Sequence, residues 1–424
     1  MASGMQNNRR FCMYVTSLTI KNIRTFDEMY VAFPPANDLG ATWTAFTGDN
    51  GTGKTTLLRC IAMALSGQSG PSALLSELFG EWLRVPTQPA EIILEMQELN
   101  GGSRKHVITT TITPASGGDY SIQQSVEGAL KLDRMFVCGY GIGRGLMATT
   151  SYENYLSTDS VYSLFKYSAA LQNPELAIRR LKDQQVDEAE LLAWIDRMLM
   201  LPRGSTKLGR NGITVSGPWG TDITFGALGD GYQGTITLLC DLLHWSLLFD
   251  EHVFEHRSLR GLVLIDQLEE NLHPRWQRAI LRLLQQQFPQ LQFIVTTHSP
   301  MCALGTADLP EHNSQLILLR QEPLHGVRAL SLPSFAGWRA DQVLTSDAFG
   351  LLTSRSVETE ERLMRLRELE LKEGRSPDEE AEYAQILAEL RQDAPPAAES
   401  AVQQKIQDRI AKLLDELSAT LPKQ

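Results

Sequence analysis

Three short runs along the chain are apolar almost throughout and end at a polar, small or charged residue. They are Met135–Tyr140 (MFVCGY), Gly261–Asp266 (GLVLID) and Gln292–Thr297 (QFIVTT). Such runs predict strands buried on both faces, as in a parallel sheet covered by other layers. Thr42–Thr47 (TWTAFT) is a further short β-rich run. Elsewhere apolar and polar residues alternate. Met13–Phe33 reads as a hairpin with one buried face, and Glu91–Leu99 with His106–Thr113 as an antiparallel pair turning at Asn100-Gly101-Gly102. Helical spacing marks Leu57–Leu65, Asn173–Leu201, Ile236–Leu248 and the stretch from Pro274 to about Phe288. A short helix is expected at Ala73–Leu83 and a short strand at Ile213–Val215. The pieces QLILLR and VRALSL within Glu311–Leu332 are expected to close a sheet edge. Beyond about 351 the composition shifts to charged helices, Val357–Leu371, Pro377–Arg391 and Ala401–Leu417, parted by Gly374–Pro377 and Ala394–Ala397. The alternation of strands and helices makes the chain α/β.

Bulk properties narrow the partners. The 424 residues carry a net charge of -11, so the surface as a whole does not attract nucleic acid. Five scattered cysteines, with no C-x-x-C pair, argue for a reducing compartment and against a disulfide framework or a zinc site. No apolar run reaches a membrane span, and MASGMQNNRR lacks the apolar core of a signal peptide; Met1–Gly4 reads as a cloning remnant before a native start at Met5. A cytoplasmic protein without a membrane partner is expected.

One loop carries the chemistry. Gly48-Asp49-Asn50-Gly51-Thr52-Gly53-Lys54-Thr55 fits G-x-x-x-x-G-K-[ST] at every fixed position, between a β-run and a helical run. Its glycines let backbone N–H groups turn toward phosphate oxygens, Lys54 reaches the β- and γ-phosphates, and the Thr55 hydroxyl can hold Mg²⁺. Thr56 continues the loop into the helix, whose positive end faces the anion. The carboxylate of Asp266, at the end of a buried strand, suits the Mg²⁺ shell. His298, at the mouth of the next buried strand, suits a γ-phosphate or its attacking water. Leu228-Gly229-Asp230-Gly231-Tyr232 precedes a helix and offers free N–H donors, or is a plain cap. Arg144, in a glycine turn after a strand, is either a phosphate contact or a loop arginine. Arg24 and Phe26 either approach a nucleotide or serve as surface charge and core aromatic.

In this order, GDNGTGKT, LGDGY, LVLIDQLEENLHPRWQ and TTHSP resemble the ABC-type ATPase heads of the SMC, RecF and OLD group. The resemblance covers roughly 13–350 and is closest to AAA-family ATPases of bacterial anti-phage systems such as Septu and PARIS. It implies a P-loop NTPase of ABC-ATPase type, with the head formed by 13–72 and 226–350; the pattern of residues itself reads as an inserted α+β subdomain at 73–225 and, at 351–424, as amphipathic helices that either fold against the head or, the favoured reading, form an association module. It further implies ATP and Mg²⁺ as ligands, Leu228–Tyr232 as a signature motif, His298 as the switch histidine, and a head-to-head dimer in which each signature caps the other head's ATP. The partner implied is an effector, a nuclease held through the C-terminal helices, because no stretch here offers nuclease chemistry. The alternative is a RecF- or SMC-like DNA-maintenance ATPase. A transporter ATPase fits the LHP segment and helical tail less well.

Two positions depart from that pattern. Gln267 stands where the group usually has the glutamate that polarises the attacking water, and an amide cannot take the proton. It reads as an engineered Glu→Gln change or as a natural, hydrolysis-poor sensor; impaired turnover is expected either way. Gly229 stands where many relatives carry serine, which removes one hydroxyl contact.

Overall fold

The computed structural model describes residues 13–35, 42–78, 81–98, 104–115, 119–128, 130, 132, 135–144, 152–183, 187–210, 212–250, 259–323, 326–351, 353–372 and 374–392. The expected helix at Ala401–Leu417 lies outside these residues. Two compact units are present, 1–351 and 352–424.

The first unit is built on a six-stranded sheet. Its strands are β3 (Trp43–Gly48), β7 (Phe136–Tyr140), β11 (Gly261–Ile265), β12 (Leu291–Thr296), β13 (Ser314–Glu322) and β14 (Gly326–Leu332), in the order β14-β13-β3-β12-β11-β7. All pairs are parallel except β13 with the edge strand β14. β3, β7, β11 and β12 are buried at every residue, which is why their sequences are apolar without alternation.

Both faces of this sheet are covered. On one side Phe46, Leu262, Leu264 and Ile294 pack with α1 (Lys54–Leu65) and with a five-stranded antiparallel sheet. That second sheet comprises β1 (Met13–Ile23), β2 (Phe26–Ala32), β4 (Ala90–Glu98), β5 (Arg104–Pro114) and β6 (Tyr120–Glu127), in the order β2-β1-β4-β5-β6. On the other side Trp43, Val263, Ile265 and Phe293 pack with the helices Pro174–Asp183, Glu188–Met198, Asp230–Phe249 and Pro274–Gln287. Trp43 and Phe293 stack at 4.2 Å on this face.

Several expectations shift. The stretch 73–225 is not one inserted body. β4 to β6 complete the sheet begun by β1, β7 joins the parallel sheet, and only Thr206–Gly209, Gly212–Ser216 and Asp222–Thr224 form a small sheet of their own. The helix expected at Ala73–Leu83 begins at Gly70, with Pro71 in its first turn, and ends at Leu75. Asn173–Leu201 is two helices, and the helix expected from Ile236 begins six residues earlier, at Asp230. β14 does close one sheet edge.

The second unit contains helices Val357–Leu371 and Pro377–Gln392, joined side to side by Arg365, which meets both carboxylate oxygens of Glu382 at 2.8 and 2.9 Å. Ser356 caps the first helix through the Thr359 N–H.

Candidate nucleotide site

The C-terminal ends of β3, β12, β11 and β7 lie along one edge of the parallel sheet, where open α/β sheets bind ligands. The loop 48–53 leaves β3 there. Its bends require glycine. Gly48 has φ 140°, and a Cβ on it would overlap the Leu319 carbonyl oxygen. Gly53 has φ 90°, and a Cβ would strike Thr25 and the Phe26 ring at 2.6 Å. The β1–β2 hairpin therefore shapes the loop from below. Phe26 is a buried support for Gly53 rather than a cleft residue.

α1 starts at Lys54 with no side-chain cap and no acidic residue in its first turn. Its first N–H donors and its dipole are thus left for an anion. Lys54 arches back over the loop and donates to the carbonyls of Gly48 at 2.7 Å and Asp49 at 2.8 Å. Burial pushes the Lys54 pKa down to about 8, and Asp266, Asp49 and Glu269 partly oppose the fall. Thr52 ties the loop to itself through its hydroxyl on the Asp49 carbonyl, 2.8 Å.

Asp266 follows β11 and is buried. Its carboxylate accepts the Thr55 hydroxyl at 2.7 Å and the Thr296 hydroxyl at 2.5 Å. Gln267 is left-handed, φ 49°, and its N–H donates to the same Thr296 hydroxyl at 2.8 Å. His298 stands beyond β12. Burial, and then the nearby Lys54 charge, hold its pKa below the ordinary histidine value, so the ring is neutral at neutral pH. Lys54, Thr55, Asp266, Gln267 and His298 line one cleft of about 290 Å³ with Asn50, Gly51, Gly53, Thr56, Arg24 and Thr25. Arg24 reaches it from the hairpin tip, with φ 48° and its guanidinium 4.6 Å from the Trp82 ring centre.

Two predicted groups lie outside this cleft, Arg144, which was expected in it, and Leu228–Tyr232, which was expected to act on a second copy. Arg144 does not line this cleft. Its guanidinium donates to the carbonyls of Gly141 (3.3 Å), Asp266 (2.5 Å) and Gln267 (2.9 Å) and pairs with Glu270 at 3.5 Å. Arg144 thus clamps the turn after β11 from behind, and burial lowers its pKa against those carboxylates. The glycine turn that singled it out in the sequence positions it for carbonyls, not phosphates. Leu228–Tyr232 also lies outside its own chain's cleft. Gly229 is the exposed first cap of the Asp230–Phe249 helix, and a Cβ on it meets nothing within 4 Å. Tyr232 packs edge-on against Trp219 at 5.4 Å and Trp276 at 4.6 Å.

Thr296 and Glu269 were not singled out from sequence, because their importance lies in what they touch across strands. The only local signal for Thr296 was its place at the end of a buried strand.

The fold and this cleft define a P-loop nucleotide-binding site on a parallel α/β sheet. Parts of the chain resemble known proteins. Residues 17–126 match the family described as an AAA domain, and residues 234–301 the family described as an AAA domain, putative AbiEii toxin, Type IV TA system. The Septu protein PtuA of Bacillus mycoides is 24% identical over 345 residues, covering 80% of this chain and 45% of that protein. The retron Vc95 probable ATPase of Vibrio cholerae is 34% identical over 82 residues, 19% of this chain and 16% of that one. The SMC head domain from Thermotoga maritima superposes with a TM-score of 0.43 at 15% identity, over 75% of this chain and 99% of that one. The chain is thus similar to the Septu protein PtuA over most of its own length and to the retron probable ATPase over a short stretch, and it spans less than half the length of either.

Proposed function

We propose that the chain binds ATP in the cleft between residues 48–56 and the strand ends at Asp266 and His298. Two copies then close head to head, each lending Leu228–Tyr232 to the other's nucleotide. The closed state regulates a partner effector, a nuclease, in anti-phage defence in the cytoplasm. The observation that carries this reading is the Thr55–Asp266 contact of 2.7 Å beside the Lys54 ammonium. A hydroxyl and a buried carboxylate at the mouth of an uncapped helix are the ligand pair that Mg²⁺ on a nucleotide requires. Thr55 and Asp266 would hold the ion, which neutralises charge on the phosphates when bound. Lys54 and the first N–H groups of α1 bind and orient the β- and γ-phosphates. His298, neutral, donates or accepts one hydrogen bond at the γ-phosphate end. Gln267 faces the same end with an amide, so it can orient a water but not deprotonate it.

The exposed Gly229 corner supports capping in trans, since it lies outside its own cleft and has open space around it. Exposed Val357, Met364 and Leu371 on the Val357–Leu371 helix support an association surface in the second unit. No described helix is long and apolar enough to cross a membrane. Calorimetry with Mg-ATP tests the site. Lys54→Ala or Asp266→Asn should lose at least about tenfold in affinity, the loss of a charge-assisted contact. Unchanged binding by both would contradict the assignment.

A further inference from the structure

A carboxylate to which the sequence assigned no role touches the histidine loop. Glu269 lies in the turn after β11, three residues past Asp266. One of its oxygens accepts the backbone N–H of His298 at 2.6 Å, and the other accepts the Thr297 hydroxyl at 2.7 Å. The Thr297 hydroxyl in turn accepts the Ser299 N–H at 3.0 Å. Thr297 is buried, and its N–H is fixed to the Phe46 carbonyl of the phosphate-loop strand at 2.9 Å. Two donors therefore converge on Glu269 from consecutive residues, one of them the residue that bears the imidazole.

A carboxylate suits that place because it only accepts. An amide of the same size presents one acceptor and one donor group, so it cannot satisfy both partners as well. Bonds to a charged acceptor are shorter and stronger than neutral ones, which fits the distances seen. With Thr297 held to β3 and His298 held to the turn after β11, the backbone that carries the His298 side chain is tied to both motifs at once.

We propose that Glu269 is the positioning residue of this site: it fixes the His298 backbone so that the ring meets the terminal phosphate, and so supports discrimination of ATP from ADP. This rests on the reading of His298 as the γ-phosphate contact. Glu269 touches neither nucleotide nor water in this scheme; it acts through His298.

The test compares Mg-ATP and Mg-ADP affinities in the full chain, with amide hydrogen exchange at 297–299 measured without nucleotide. Glu269→Ala should speed exchange of the His298 amide at least tenfold. It should lower ATP affinity about tenfold and leave ADP affinity within twofold. Glu269→Gln, which keeps one acceptor, should recover only part of the ATP preference, to within about threefold of the parent. If Glu269→Ala is too unstable to study, Thr297→Val removes one of the two contacts and should show a smaller loss, about threefold, in the same direction. Equal loss of ATP and ADP affinity, or an ATP preference kept within twofold, overturns the proposal. His298→Ala separates the two readings. If it abolishes the ATP preference while Glu269→Ala keeps it, only the positioning role fails. If His298→Ala itself keeps the preference, the assignment of His298 fails, and the positioning role with it.

Discussion

Thr296→Val is the most informative single change in the fold of the site. Thr296 is fully buried, and valine matches its shape. Its hydroxyl donates to Asp266 at 2.5 Å and accepts the Gln267 N–H at 2.8 Å. Valine removes a bond to a charged acceptor and leaves a partly buried N–H without its partner. Each loss is worth about 1–3 kcal/mol, and together, with incomplete additivity, about 3 kcal/mol. For a unit of this size the melting temperature should fall by roughly 4 °C. A second consequence is functional. Asp266 loses the hydroxyl that holds its second oxygen, and left-handed Gln267 loses its anchor, so the Mg²⁺ concentration needed for half-maximal ATP binding should rise about tenfold. Scanning calorimetry and a magnesium titration of ATP binding read the two effects. Thr296→Ser keeps the hydroxyl and loses one buried methyl, about 1 kcal/mol, so its magnesium requirement should be unchanged. A valine variant that melts within a degree of the parent and binds Mg-ATP equally would refute the role assigned to this hydroxyl.

Gln267→Glu restores a carboxylate at the γ-phosphate end and should raise steady-state ATP turnover by about 10²-fold or more; equal turnover in a phosphate-release assay would place the base elsewhere. His244 is buried on the Asp230–Phe249 helix, and burial, with Arg180 adding to it, pushes its pKa down from 6.5 to about 4. The unfolded chain takes up that proton first as pH falls, so the contribution to stability is complete above pH 6.5 and is lost between about 6.5 and 4, by up to about 3 kcal/mol. His244→Phe should therefore flatten the fall of melting temperature over that window while changing it little at pH 8; parallel curves for the two proteins would contradict this.

The legible parts of the chain are those whose residue types are dictated locally. A phosphate loop must place glycine at Gly48 and Gly53, because Leu319 and Phe26 leave no room for a Cβ, and the motif registers that need directly. β11 and β12 are covered on both faces and so are apolar throughout, which marks them as parallel strands. Pairings distant in sequence left little trace. β1 pairs with β4 across some seventy residues, for example Lys21 opposite Glu91, so the second sheet looked like an insertion rather than a continuation of the N-terminal hairpin. β6 alternates between partly buried and exposed at the sheet edge, and its polar sequence, YSIQQSVE, did not read as a strand. Arg144 was found from its glycine turn, but nothing local distinguishes a carbonyl clamp from a phosphate contact. Thr296 and Glu269 act only through partners about thirty residues away.

In the proposed assembly two copies sandwich the nucleotide, with the Gly229 corner of one against the Lys54 cleft of the other. The direct measurement is the solution mass by light scattering, with and without Mg-ATP, of the parent chain and of Gly229→Arg. A Cβ at Gly229 meets nothing within 4 Å among the described residues, so the variant should fold and still bind ATP. Mg-ATP should double the mass of the parent and leave Gly229→Arg monomeric. A parent chain that binds Mg-ATP and stays monomeric, or a variant that dimerises as readily, would contradict it.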